Sequence, residues 1–371
     1  MAVEGMVAPG FEPVRDVFAD IVGDARGGAA FAVVRDGEPV VDLWGGLADP
    51  LTGTPWRRDT LCVLFSGTKG IVATVAAALA DRLDPTAPVR TYWPEFTADV
   101  TVGHVLSHTA GLPYVDGPHD LLDSAGCARL LATQKPLWEP GTRVAYHPLT
   151  YGYLAGELLR RVTGSSVGTL VQELVAPYGL DLHLGTPADC DPRMARLVRA
   201  PDYAISTFLT DPERRRIVER MYAGLLDSDS LMNSVAYRRA ELAGGSGVGT
   251  ARAMASLYDL VLRGCVVDDS ALRRATGVWA DGVDAINDRP VRFGLGYELG
   301  DSIGTYGPDR RGDRAFGHSG AGGGRHGAWP GAERGGVGGV GFSFLCNELR
   351  SEDRDSRAER LLTVLDEVLD R

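Results

Sequence analysis

The sequence predicts an α+β fold, an antiparallel sheet flanked by helices and interrupted by an inserted, all-helical lobe. Three observations predict it. A β-hairpin signal stands near the N-terminus, short β-like runs return only from about residue 291, and helical periodicity dominates the stretch between. The expected division is residues 1–84 with 291–371 in a sheet lobe and residues 85–290 in a mainly helical lobe, with a site in the cleft between them.

The elements follow in chain order. Phe11 to Asp24 carries Phe11, Val14, Val17, Phe18 and Ile21 on one stripe, the mark of an amphipathic helix. In "AAFAVVRDGEPVVDLWGG" two strand-like runs flank Asp36-Gly37, a hairpin turn pair. "SGTKGIVATVAAALADR" reads as a strong helix built on Ile71, Val72, Val75, Ala78 and Leu79. Helical segments are expected at 101–108, 124–134, 150–163, 165–177, 213–226 and 250–263, separated by Pro- and Gly-rich loops. Then come "VRFGLGYEL", "DRAFGHSG" and "GGVGGVGFSFLC", short β-like runs, and a closing helix over 351–370. The glycine-dense run 320–340 is broken by His, Trp and Arg and reads as turn and strand, not as linker.

Composition narrows the function classes. A chain of 371 residues with 44% hydrophobic and 23% charged residues can bury a large core without disulfide or metal staples. The formal net charge of −11 and the lack of any basic run argue against nucleic acid, whose phosphates require clustered Lys and Arg, and against an anionic membrane surface. Cys62, Cys127, Cys190, Cys265 and Cys346 are scattered with no Cys-x-x-Cys, which fits a reducing compartment. The N-terminal text has no basic segment leading into an apolar run, and no stretch approaches the ~18 apolar residues of a membrane span. The expected location is the cytoplasm. Oligomeric state is not legible. Of the 38 basic residues only two are lysines, Lys69 and Lys135, so either lysine needs a reason.

"AFGHSGAGGG", residues 315–324, places Ser319 one residue short of a Gly-x-Ser-x-Gly nucleophile elbow. The elbow's triad runs Ser, then acid, then His. After Ser319 the only histidine is His326, and every acidic residue comes later still. The elbow also needs a parallel sheet, which this pattern does not build. Ser319 is therefore a poor nucleophile candidate.

"VLFSGTKGIV" offers a better one. Ser66-Gly67-Thr68-Lys69 is the only Ser-x-x-Lys in the chain, and it opens the strongest expected helix. The i, i+3 spacing sets the two side chains on one helix face, about 5–6 Å apart at Cβ. A serine hydroxyl needs a base to take its proton, and a buried lysine of lowered pKa can supply one. The helix N-terminus adds free N–H groups where an oxyanion would form. The same tetrad also fits a serine N-cap followed by a surface lysine. The apolar flanks Val63, Leu64, Phe65, Ile71 and Val72 favour burial. A second element is Tyr146, which precedes the helix pattern of Leu154, Leu158, Leu159 and Val162. A phenol beside a lysine can relay protons. Taken alone, a tyrosine at this place is more often a half-buried packing residue.

Ser66-x-x-Lys69, Tyr146 ahead of "TYGYLAGE", and His318-Ser319-Gly320 entering a glycine-rich strand stand in this order. The set resembles the serine β-lactamase and penicillin-binding-protein-like superfamily, above all the class C β-lactamase-like (family VIII) carboxylesterases. "VVDLWGGLADP", "LFSGTKG", "YWPEF", "VLSHTAGLP" and "FGHSGAGGG" carry the likeness, which spans roughly residues 25–350 and is weakest at 180–240. The resemblance implies a β-lactamase/transpeptidase-like fold. It implies Ser66 as nucleophile, Lys69 and Tyr146 as the acid–base pair, and an oxyanion hole from the backbone N–H groups of Ser66 and Ala321. His318, Ser319 and Gly320 would line the substrate cleft. Neither a cofactor nor a metal is implied.

Two departures weaken a β-lactamase reading. Pro148 stands where many β-lactamases have Asn, and His318 replaces a lysine that would fix a positive charge. Arg325, His326 and Trp329, beyond the third motif, either shape an acyl or alcohol pocket or cover the sheet; Trp329 is counted among the substrate-binding candidates. His104 and His108 have zinc-pair spacing but no Glu and no third ligand, so capping or packing is expected of them. "GGSGVGT" lacks the Gly-Lys-Ser/Thr ending of a phosphate loop and reads as a turn into the next helix. Asn347 fits either a strand-end cap or a cleft residue. The expected function is hydrolysis of a small-molecule ester through an acyl-enzyme on Ser66. Acyl transfer or amide formation in specialised metabolism is the alternative. β-Lactamase, D-amino-acid peptidase and a catalytically silent binding protein are minor ones.

Overall fold

The computed structural model describes residues 2–201, 203–204, 209–225, 229–300, 314–331, 338–351 and 354–370. The hairpin forms where its turn chemistry asks for it. Strands Gly28–Arg35 and Glu38–Asp49 pair antiparallel around Asp36 and Gly37, at φ 52° and 86°. Positive φ at both central residues is what a tight primed turn needs, and Asp-Gly reaches it at little cost. An edge strand, Val3–Val7, joins the hairpin through Glu38–Asp49. The sequence does not announce it, because Gly5 and Met6 break its alternation.

The sheet runs Val3–Val7, Glu38–Asp49, Gly28–Arg35, Val340–Cys346, Gly324–Trp329, Phe316–Gly320, Glu298–Leu299, Pro290–Phe293 and Ala280–Val283, with Thr54–Pro55 on the side of Glu38–Asp49. Every pairing along it is antiparallel. The two ends of the chain meet at its middle, where Gly28–Arg35 lies against Val340–Cys346. Ala280–Val283 and Pro290 enter the sheet ahead of residue 291. Residues 332–337 of the glycine-rich stretch, and Asp313, lie outside the described residues.

Two cores sandwich this sheet. On one face the helices Glu12–Asp24 and Arg357–Leu369 bury Val14, Phe18, Ile21, Leu361 and Leu365 against Phe31, Phe342 and Phe344. On the other face Gly67–Ala78 and Ala251–Leu262 pack over Ala32, Val34, Ala328 and Leu345. Each large side chain fully buried this way contributes roughly 1.5–3 kcal/mol. Gly67 to Ala77 of the helix Gly67–Ala78 are buried on every side, with small residues among them, and Ala78 at its end is exposed. At Gly70 an added Cβ would stand 2.2 Å from the Tyr258 hydroxyl, so only glycine fits.

Several elements differ from expectation. The helix expected at 213–226 is Pro212–Tyr222, stopped at Ala223 by φ 46°, and residue 226 is outside the described residues. The closing helix starts at Arg357, not at 351. "GGSGVGT" holds the short strand Val248–Gly249, which pairs with Cys62–Val63 and Leu182–His183. Asn347 is a strand-end cross-link: its Oδ1 accepts from Gly28 N–H, and its Nδ2 donates to the carbonyls of Leu47, Ala48 and Arg196.

Candidate active site

Phe65 has φ 48°, a left-handed conformation that a bulky residue rarely adopts. It turns the chain from Cys62–Val63 into the helix Gly67–Ala78 and leaves Ser66 at the helix mouth. The Ser66 side chain makes no capping bond. Lys69, one turn on, is fully buried. The N-cap and surface-lysine reading of the tetrad therefore falls away.

Lys69 Nζ lies 3.0 Å from Ser66 Oγ, 2.8 Å from the Pro148 carbonyl and 2.7 Å from the Gly244 carbonyl. Burial lowers its pKa to about 7, against an opposing pull from Glu298. A neutral amine has two N–H bonds and one lone pair. Two carbonyl acceptors occupy the N–H bonds, so the lone pair is left for the Ser66 hydroxyl. Pro148, which lacks the side-chain amide of many β-lactamases, takes part through its backbone.

The Tyr146 hydroxyl donates to Ser66 Oγ at 2.6 Å, and its ring centroid lies 5.0 Å from Lys69 Nζ. Three successive amides hold the Tyr146 backbone. Ala145 N–H bonds the His108 carbonyl, Tyr146 N–H bonds Asp284 Oδ2 at 2.6 Å, and His147 N–H bonds His108 Nδ1. His108 has φ 61°, is fully buried, and packs between Tyr146, Tyr151 and Phe293. Burial holds its pKa well below the ordinary histidine value. His104 forms a capping box with Thr101. The two histidines thus do the capping and packing expected of them. Among the described residues no group of three or more His, Cys, Asp or Glu side chains is placed to hold a metal ion.

The third motif forms the strand Phe316–Gly320 beside the helix mouth. A Cβ on Gly320 would meet the Leu64 carbonyl at 2.5 Å, which measures how closely strand and helix mouth approach. Gly320 is followed by Ala321, half-buried in the turn before Gly324–Trp329. Neither Ser66 N–H nor Ala321 N–H donates to a protein acceptor among the described residues. His318 is buried with its ring 6.0 Å from that of Tyr146; burial lowers its pKa to about 4, so it carries no fixed charge near neutrality. Ser319 gives both its N–H and its hydroxyl to Glu298, at 2.8 and 3.0 Å. The group that faces the Ser319 hydroxyl is the Glu298 carboxylate, whereas the buried amine of Lys69 faces Ser66.

Trp329 corrects an expectation. It lies in the core under the terminal helices, 5.2 Å from Phe342 between ring centroids, on the face of the sheet away from Ser66. Strand alternation is the reason: Ala328 faces the helix Gly67–Ala78, so Trp329 must point the other way. Trp329 covers the sheet and does not line the cleft. His326 faces the cleft side yet is fully buried, bonded to Ser343 Oγ at 2.7 Å and packed under Gly67, where a Cβ would meet its ring at 2.5 Å.

Sequence reasoning missed the Pro148 and Gly244 carbonyls, Asp284, Glu298 and the brace from His108. Backbone carbonyls leave no mark in residue type. The glycine spacing of "GGSGVGT" marks close approach, since a Cβ on Gly152 would stand 2.1 Å from Gly244 N and one on Gly247 would stand 2.6 Å from Thr68 Oγ1.

A serine flanked by a buried lysine and a tyrosine, at the mouth of a helix beside an antiparallel strand, defines a class of protein. Comparison with known proteins agrees. The Beta-lactamase family profile matches residues 14–366, and the chain belongs to that family. It is 36% identical to the esterase/beta-lactamase LipL of Mycobacterium tuberculosis, over 94% of this chain and 84% of that one. Esterase EstB of Burkholderia gladioli is 36% identical over 41% of this chain and 45% of its own. Among solved structures, a family VIII carboxylesterase superimposes with a TM-score of 0.88 at 34% identity, covering 99% of this chain and 100% of that one. A penicillin-binding protein homologue from Caulobacter crescentus gives 0.86 at 32%, with the same coverage. The resemblance read from the motifs is borne out, as is the β-lactamase/transpeptidase-like fold. At family level the chain is a serine hydrolase. No helix among the described residues is long and apolar enough to cross a membrane.

Proposed function

We propose that this protein cleaves a small-molecule carboxylic ester through an acyl-enzyme on Ser66. One observation carries the reading: Ser66 Oγ stands 3.0 Å from Lys69 Nζ and 2.6 Å from the Tyr146 hydroxyl. Neutral Lys69 accepts the Ser66 proton as Oγ attacks the ester carbonyl. The tetrahedral oxyanion rests between the N–H groups of Ser66 and Ala321. Collapse breaks the ester C–O bond, and the Lys69–Tyr146 pair returns the proton to the leaving alkoxide. Water then attacks the acyl-enzyme, gives a proton to the same pair, and frees Ser66 with release of the acid. In this reading residues 1–84 with 291–371 supply Ser66, Lys69 and the strand of the third motif, and residues 85–290 supply Tyr146. The neutral His318 supports an ester over a β-lactam, whose carboxylate would look for a fixed cation.

The test is intact-protein mass after exposure to a fluorophosphonate probe, on wild type, Ser66→Ala and Ser319→Ala. The expected result is one adduct on wild type and Ser319→Ala and none on Ser66→Ala. Labelling that persists in Ser66→Ala and is lost in Ser319→Ala overturns the assignment. Product analysis with added alcohol or amine then measures how much acyl group goes to acceptors other than water.

A further inference from the structure

The turn Ala321–Gly323 joins the strands Phe316–Gly320 and Gly324–Trp329. Gly322 and Gly323 have φ 81° and 108°, so the turn is built of residues with the widest backbone freedom. An oxyanion donor on a loose turn stabilises little, because the hole works only when its N–H groups are already aimed. Something must hold this turn, and the cleft side offers no side chain bonded to it among the described contacts.

The hold comes from the far face of the sheet. Arg357, the first residue of the C-terminal helix, is buried with 3% of its surface exposed. Asp355 grips its guanidinium through Nε at 2.8 Å and Nη2 at 2.7 Å. From that fixed position Nη2 donates to the Gly322 carbonyl at 2.8 Å and to the Glu348 carbonyl at 2.9 Å. The Cys346 thiol reaches the same Gly322 oxygen at 3.4 Å. The turn sits directly on this group. A Cβ on Gly323 would stand 2.0 Å from Asp355 Oδ2, and one on Gly322 would stand 2.3 Å from the Leu349 side chain. A buried Arg–Asp pair is costly to desolvate, and an apolar pair would fill the same core space. What an apolar pair could not do is bind the Gly322 carbonyl.

We propose that Arg357 is a positioning residue for the oxyanion hole, fixing the Ala321 N–H from behind through the Gly322 carbonyl and itself fixed by Asp355. The role rests on Ala321 being an oxyanion donor, as in the proposed mechanism. It makes the C-terminal helix, remote from Ser66, part of what sets the rate.

The test compares a neutral aryl ester with its thiono analogue, in which sulfur replaces the carbonyl oxygen. Sulfur accepts hydrogen bonds poorly, so the oxo/thiono rate ratio measures what the hole contributes. Both substrates meet the same active molecules, so the ratio does not depend on how much of a variant folds. Arg357→Lys keeps the charge without the fork, and Asp355→Asn keeps the arginine but loosens it. The expected result is a fall in the ratio of about tenfold in each, from a slower oxo ester with KM within about twofold of wild type. If Arg357→Lys does not accumulate, Asp355→Asn answers alone. A high wild-type ratio left unchanged in the variants overturns the role of Arg357. A wild-type enzyme that turns over both esters alike overturns the oxyanion-hole reading itself.

Discussion

Lys69 Nζ donates to the carbonyl of Gly244 at 2.7 Å across 175 residues of sequence. With the Pro148 carbonyl it forms a two-acceptor cradle that leaves a neutral lysine one lone pair, toward Ser66. The cradle and the burial act together: one orients the amine, the other makes its neutral form available near pH 7.

The pH dependence follows. Burial brings Lys69 down to about 7, and the base of the proposed mechanism is the deprotonated form, whose fraction grows as pH rises through that value. Below it, kcat/KM for a neutral ester should fall about tenfold per pH unit, and above it the profile should level. A profile from pH 5 to 9 checks this. A rise that continues through pH 9 without levelling would show that Lys69 keeps an ordinary pKa.

Gly152→Ala tests the cradle. The new methyl would stand 2.1 Å from Gly244 N, so the helix Thr150–Thr163 and residue 244 must move apart. Overpacking of this kind costs about 1–3 kcal/mol. The expected outcome is a Tm lower by about 1–4 °C and a kcat loss larger than the loss of folded protein. Calorimetry with active-site titration separates the two.

Asp284→Asn tests the seat of Tyr146. The Asp284 carboxylate accepts from Tyr146, Ile286 and Asn287 N–H at 2.6, 2.8 and 2.7 Å while buried. The amide keeps the shape but has one acceptor oxygen in place of two, so an N–H on one side loses its partner, at a stability cost of about 1–3 kcal/mol. kcat should fall about tenfold with KM little changed, because in the proposed mechanism Tyr146 acts on the reacting atoms rather than on binding. Steady-state kinetics on a neutral ester decide it; a change in KM alone would move Asp284 out of this role.

Trp329→Ala tests the corrected placement. Removing this buried ring should cost about 3–5 kcal/mol, while kcat and KM per folded molecule stay at wild-type values. Altered chain-length preference among ester substrates would return Trp329 to the cleft.

What the sequence by itself determined is local. The i, i+3 spacing of Ser66 and Lys69, the Asp36-Gly37 turn and the stripe of Val14, Phe18 and Ile21 follow from short-range geometry, and the structure keeps each of them. Tertiary structure decided the rest. Strand alternation says that Ala328 and Trp329 point opposite ways, but only the packing of the helix Gly67–Ala78 decides which face is the cleft. The lysine's pKa depends on burial, and its direction on carbonyls that any residue could supply, so neither is written in residue type. The same holds for Asp284 and Arg357. Each acts through a backbone amide or carbonyl far along the chain, and contacts of that kind exist only once the fold has brought the segments together.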